Sequence, residues 1–463
     1  MTTPQTQLFL EGPILKVLWK FATPNLIAVL FINSATIADA FFVGKIGTIP
    51  LASLALVFPL QTLMIMQSGG AMGGGITSAI SRALGRNALD EVNTLVWHSI
   101  VMSAFMCFIY TVVFGLLSSY IFTVFTNDYD VISGAVVYSR IFFGLSIAVW
   151  SFYICSAILR ALGRLDAFAK ATISSVILQI ILSGILTIGL GAFAGFGIAG
   201  PAIAAIICHI TAASYMGYVL LTQTSIRIQP QKIKWAPIVD ILKVSALSLL
   251  NSFSIAITVL IVTGFISRYG TAAIAGYGLG NRLELMLIPI SFGLGGVLNA
   301  AVGINFGAKQ YARARKIAWS GALIVFLFIG IIGITISIFP SIWLNFLTSD
   351  AEAYRYGAIY LGIAAPFFCL FGGGQTLFFA SQGTGKMVFP VIVGILRMLA
   401  VLIIGLFTIM ISDYGIGISI FNASFAISSW GINGIFAGIV VGFAIVGIGL
   451  SCNMFTKNWN PSA

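Results

Sequence analysis

Charge is what this sequence lacks most. Only 8% of its 463 residues are charged, where soluble domains carry roughly a quarter. With 59% hydrophobic residues and a mean hydropathy of +1.07, a soluble globular protein is excluded. Cysteine is scarce as well. Cys107, Cys155, Cys208, Cys369 and Cys452 stand singly inside apolar runs with no C-x-x-C pair, and read as small hydrophobes in helix packing. No metal-ligand cluster and no Ser/His/Asp spacing is present, so neither an enzyme nor a metal or cofactor is expected. Phosphate loops are missing too. The glycines of Gly69–Gly75 lie inside an apolar run with no Lys-Ser/Thr after them, and Gly383-Thr384-Gly385-Lys386 has Ala380 where the pattern requires glycine. No cleavable signal pattern precedes the first apolar run.

What the chain has in abundance is long apolar runs. They fall at about 14–44, 48–80, 92–125, 132–158, 164–190 and 196–222, and again at 238–267, 271–303, 314–346, 353–379, 387–411 and 430–455. Each can cross a hydrocarbon core about 30 Å thick. Barrel strands would be about 10 residues long and alternating, so the expected fold is an all-α polytopic membrane protein of twelve spans. Its basic residues sort by loop parity. Lys16, Lys20, Arg82, Arg86, Arg160, Arg164, the linker lysines and Lys309 to Lys316 lie on one side, whereas the opposite loops hold only Lys45, Arg140, Arg268 and Arg355. By the positive-inside rule both termini face the cytoplasm of a plasma (inner) membrane. The net charge of +11 therefore reports topology, and no nucleic-acid partner is implied.

The two halves repeat. Lys45-Ile46-Gly47-Thr48 answers Arg268-Tyr269-Gly270-Thr271 at an offset of 223; Gly73-Gly74 answers Gly295-Gly296, and Gly85-Arg86-Asn87 answers Gly307-Ala308-Lys309, at 222. Gly163-Arg164 matches Gly385-Lys386, and Gly197-Ile198-Ala199-Gly200 matches Gly431-Ile432-Asn433-Gly434. Six spans per repeat make the repeats parallel, which divides the chain into lobes at 1–222 and 238–463 around a linker at 223–237. Parallel repeats of this kind belong to transporters with a substrate site between the halves.

These elements, in this order, resemble the MATE (multidrug and toxic compound extrusion) family of the MOP superfamily. The resemblance rests on Pro24, Asp39 and Val43-Gly44 in span 1, Leu159-Arg160-Ala161-Leu162-Gly163-Arg164 after span 4, Gly307-Ala308-Lys309-Gln310 after span 8, and the Gly-Ile-x-Gly starts of spans 6 and 12. It implies a two-lobed, V-shaped bundle that exports organic cations in exchange for H⁺ or Na⁺. The span 1 aspartate is similar to that of the DinF-like branch. Departures are visible: where many relatives carry Asn-x-x-Leu-Asp on span 5, this chain reads Gln179-Ile180-Ile181-Leu182-Ser183, and span 10 holds no acidic residue. A proton on Asp39 is therefore expected rather than a sodium cage.

Asp39 is the first candidate site residue. Ionisable side chains within spans mark ion pathways by default, and removal from water penalises the charged form of a carboxyl, which suits proton exchange. Thr36, one turn earlier, is a candidate hydrogen-bond neighbour. Gln179 and Ser183, four apart on one face, are candidates to bond Asp39 or cavity water. The resemblance assigns Ser156 and Ala205 to polar positions of the first-lobe cavity, and His209 shares the face of Ala205. On span 8, Arg282 and Glu284 are two apart and do not face each other. Glu284 has two readings, a cavity carboxylate or a partner of Arg397. The expected function is secondary antiport of amphipathic, mostly cationic small molecules by a monomer. A lipid-linked oligosaccharide flippase and a major-facilitator carrier are the alternatives.

Overall fold

The computed structural model describes residues 4–414, 418–420, 423–425 and 431–460. After a short helix α1 (Pro4–Glu11), the first half runs through α2 (Ile14–Ile46), α3 (Thr48–Ile65), α4 (Gly73–Gly85), α5 (Leu89–Tyr110), α6 (Ser118–Phe122), α7 (Tyr129–Gly144), α8 (Ser146–Ala161), α9 (Leu165–Ile188) and α10 (Ala199–Gln223). The second half comprises α11 (Trp235–Ile266), α12 (Thr271–Gly307), α13 (Tyr311–Ile338), α14 (Ser341–Leu344), α15 (Ala351–Ala364), α16 (Phe368–Thr384), α17 (Val388–Tyr414) and α18 (Gly431–Asn453). A two-stranded antiparallel ribbon, Ile418–Ile420 with Ala423–Phe425, follows α17. Hydrocarbon offers no hydrogen bonds to the backbone, so apolar spans of this length close their bonds within helices. Among the described residues, eleven helices are long and apolar enough to cross a membrane, and α7 with α8, bent by 47°, forms a twelfth.

That bend is one feature the apolar pattern does not announce. The fourth run reads as continuous, yet Leu145 leaves the helical region at φ −106° and ψ 30°. Its counterpart lies 222 residues on, where a 3₁₀ turn at Ala365–Phe367 separates α15 from α16. There the cause is explicit: Pro366 lacks an N–H and cannot continue the ladder. In the first half Gly144 occupies the matching position, and glycine weakens a helix interior.

A second feature explains an oddity of the repeat. Its offset is 223 at Thr48 and 222 at Gly73, so one extra residue lies between them in the first half. Met66–Met72, joining α3 to α4, is a π-helical segment, whereas α12 runs unbroken through the matching positions. A π turn carries one residue more than an α turn. The sequence offset is its record.

The repeated motifs themselves are backbone devices. Gly163 and Gly385 sit at φ +72° and +75° at helix C-termini, where an L side chain is penalised. Gly47 and Gly270, at φ +141° and +95° with ψ near 170°, occupy a region essentially restricted to glycine. The caps recur likewise: the Asp128 carboxylate accepts from the N–H groups of Asp130 and Val131, and the Asp350 carboxylate accepts from that of Ala353. Each cap contributes about 1 kcal/mol.

Packing divides the chain into two compact units, residues 1–249 with 299–310, and residues 250–298 with 311–463. The first turns of α11 and the last turns of α12 are thus grouped with the first unit. Within that unit Arg82, at the end of α4, donates two 2.8 Å hydrogen bonds to the Asp240 carboxylate on α11 and a third to the Ser78 hydroxyl. A Cβ at Gly85 would overlap the backbone oxygen of Ile304, and a Cβ at Gly307 that of Arg82. Ile304 lies 222 residues after Arg82, as Gly307 lies 222 after Gly85. The two ends therefore cross through reciprocal contacts of repeat-equivalent residues.

Candidate functional site

In the first unit, α2 and α9 lie side by side, and the contact is close because α9 carries Gly184, where a Cβ would come within 3.0 Å of the Phe42 ring. This close approach brings one turn of α9 against Asp39. The side chain is 8% exposed. Gln179 Nε2 donates to Asp39 Oδ2 at 3.1 Å. Ser183 stands beside the same carboxylate, with its Oγ and Asp39 Oδ1 both buried and neither in hydrogen-bonding geometry. Tyr138 on α7 and Cys208 on α10 are near enough to feel the carboxylate's charge. Tyr138 is itself held by Gln61 on α3, whose Nε2 donates to its hydroxyl at 2.7 Å.

Among the described residues, the side chains that act on Asp39, Gln179 and Ser183, are neutral. An ionised carboxylate in such a place lacks a compensating cation, and the cost of a buried, unpaired ion is several kcal/mol. A proton removes that cost. With Oδ2 already accepting from Gln179, Oδ1 is the oxygen free to take it, and a shift of the neighbouring Ser183 hydroxyl would let it accept a hydrogen bond from the protonated form.

Two of the candidates, Gln179 and Ser183, are thus brought to Asp39. Three are elsewhere. Thr36 is exposed on α2. Ser156 is buried on α8 with its hydroxyl donated to the Tyr153 carbonyl at 2.9 Å. His209 is half-buried on α10, with Nδ1 at 2.7 Å from the Ala205 carbonyl oxygen and its ring edge-on to Phe152. Neither Ser156 nor His209 has a described bond to Asp39.

The second unit holds the other carboxylate. Glu284 Oε2 accepts a 2.8 Å hydrogen bond from the Tyr360 hydroxyl, and Glu284 lines a small cavity with Arg397, Tyr277, Asn281 and Thr258. Arg282 is exposed on the other side of α12, as a two-residue spacing requires. The residues that sequence reasoning missed, Gln61, Tyr138 and Tyr360, were within reach of the repeat. Gln61 plus 223 is Glu284, and Tyr138 plus 222 is Tyr360. The Gln61–Tyr138 and Glu284–Tyr360 hydrogen bonds are one contact made twice, with the π segment accounting for the change of offset. Applied to polar residues as well as to glycines, the repeat would have found them.

Comparison with known proteins decides the family: the MatE model matches residues 24–185 and 248–407, one match in each half. The chain belongs to the MatE family. Its relatives include a Shewanella oneidensis protein named FAD transporter, 23% identical over 383 residues and covering 80% of this chain and 82% of that one. Another is the probable multidrug resistance protein NorM of Thermotoga maritima, 25% identical over 350 residues and 73% of each chain. Among solved structures, a MATE transporter in complex with MaD3S superposes with a TM-score of 0.87 at 20% identity over the whole of both chains. A MOP superfamily transporter from Pyrococcus furiosus superposes at 0.84 and 20% identity, covering 98% and 97%. This MatE protein is therefore a multi-pass membrane protein of a transporter family, with multidrug efflux proteins among its relatives.

Proposed function

We propose that this MatE protein exports amphipathic, mostly cationic organic compounds in exchange for H⁺, by alternating access, with Asp39 as the coupling group. The observation that carries the reading is the neutral setting of Asp39: a carboxylate with one amide donor, one adjacent hydroxyl and, among the described residues, no cation takes its compensating charge from outside. A proton and a cationic substrate then compete for the same negative charge, and that competition is what antiport requires. Gln179 and Ser183 hold the carboxyl in place. The distribution of lysine and arginine supports a plasma (inner) membrane protein with both termini cytoplasmic. The repeat supports two lobes, 1–222 and 238–463, acting within a monomer.

In proteoliposomes, uptake of the cationic dye ethidium should follow an imposed pH gradient with sodium absent and ignore a sodium gradient at equal pH. Transport driven by sodium alone would overturn the reading. An anionic substrate is the second reading. It is favoured by Arg282, a permanent cation exposed on α12, and by the relative named FAD transporter. Under the first reading FAD is not carried in the same assay.

A further inference from the structure

The two units treat their carboxylates differently. Among the described residues Asp39 is met by neutral side chains, whereas Glu284 shares its cavity with a guanidinium. Arg397, on α17, is 4% exposed. It donates from Nη2 to the Thr258 hydroxyl at 3.1 Å and lies over the Phe371 ring, 5.5 Å from its centroid. Its charge acts on Glu284, and that of Glu284 on it. Yet no ion pair joins them among the described residues, so the two charges face one another across the cavity. The space between them has room for about one water.

Most of the remaining lining is apolar, but three of its residues bring oxygens. Asn281 is 7% exposed and its Oδ1 is buried without a hydrogen-bond partner; the Tyr277 and Thr258 hydroxyls complete the set. A carboxylate, an amide oxygen and hydroxyls around a space for one small particle suit an alkali cation, whose preferred ligands are oxygens. Arg397 already supplies the positive charge. Guanidinium does not lose its proton in proteins, so its compensation of Glu284 is permanent. Val262, the repeat counterpart of Asp39, lines the same cavity, so the second unit carries an apolar residue at that position and a fixed cation opposite its own acid.

We propose that Arg397 is a tethered cation. It occupies in the second unit the role that the exchangeable proton takes at Asp39 in the first, and so keeps Glu284 out of ion coupling. The proposal rests on the reading of Asp39 for its contrast, but its test does not. The full-length chain carrying Asp39→Asn, in which no signal can come from the first unit, is compared with the same chain carrying Arg397→Gln in addition. Thermal midpoints are measured in sodium chloride against choline chloride at equal ionic strength, and in choline alone on acidification.

Asp39→Asn alone should respond to neither. Adding Arg397→Gln should produce a saturable rise with sodium at alkaline pH, or a rise on acidification, and a third change, Glu284→Gln, should abolish it. Arg397→Lys should behave as the parent. A folded Arg397→Gln chain with neither response overturns the proposal. Should Arg397→Gln fail to fold, rescue by Glu284→Gln supports charge compensation, and failure of that double variant overturns it.

Discussion

Replacing Asp39 by asparagine should reduce concentrative transport to the level of empty liposomes while leaving the fold intact. Asparagine has the same shape, and its side-chain oxygen can still accept from Gln179 Nε2, which now donates to Oδ2 at 3.1 Å. What it lacks is the ability to change charge. A group that cannot alternate between anion and neutral acid cannot exchange a proton for a cation, whatever its packing. The variant should express and melt close to the parent, and its substrate affinity should become independent of pH across neutrality. Gln179→Leu is the graded companion. It removes the one donor that meets the carboxylate directly, and hydrogen bonds of this kind within membranes average about 0.6 kcal/mol. Coupled transport should therefore fall a few-fold rather than vanish.

The second large effect is expected far from any charge. Substituting valine at Gly85 or Gly307 should lower the thermal midpoint markedly and abolish transport. At both positions a Cβ would run into backbone oxygen, of Ile304 and of Arg82 respectively, and backbone cannot rotate out of the way as a side-chain tip can. Overpacking typically costs about 1–3 kcal/mol and occasionally more. Because the two contacts are reciprocal, they should not add. Once the ends of α4 and α12 are forced apart by the first valine, the second finds the gap open, and contacting sites couple in this way. A double variant as stable as either single variant is the expected result in a detergent melting series. Singles near the parent midpoint would show that the crossing tolerates separation.

The fold was legible to the extent that its causes are local. Twelve apolar runs, glycine-bearing caps and the parallel repeat are all written in periodicity and turn chemistry, and the helices appear where those signals put them. Three departures from regular helix were not legible in the same way, a π segment at Thr111–Leu116 among them. The π segment at Met66–Met72 has no residue signature, and only the one-residue change in repeat offset betrays it. The break at Leu145 has no proline, and its counterpart at Pro366 is the clue.

The candidate site was legible in part for a related reason. Asp39, Gln179 and Ser183 could be linked because a carboxylate in a span and two polar residues four apart make a face. Thr36 shares a helix with Asp39 but points away from the packed side, and spacing on one helix says nothing about which face a neighbouring helix covers. Ser156 and His209 came from positions that resemble a family pattern. Here each has a backbone carbonyl within hydrogen-bond distance in its own helix, the commonest fate of a short polar side chain inside a span. Tyr138 and Gln61 went unseen because neither is ionisable near neutrality. Their repeat partners, Tyr360 and Glu284, include the one residue whose charge draws the eye.

The proposed exchange is of one proton at Asp39 for substrate. It is tested most directly by adding a cationic substrate to the purified chain in weakly buffered, sodium-free solution and counting protons released with a pH-sensitive dye. Proton release should saturate with substrate, at no more than about one per chain, and be absent from Asp39→Asn. Equal release from parent and variant, or none from a parent that binds substrate, would contradict it.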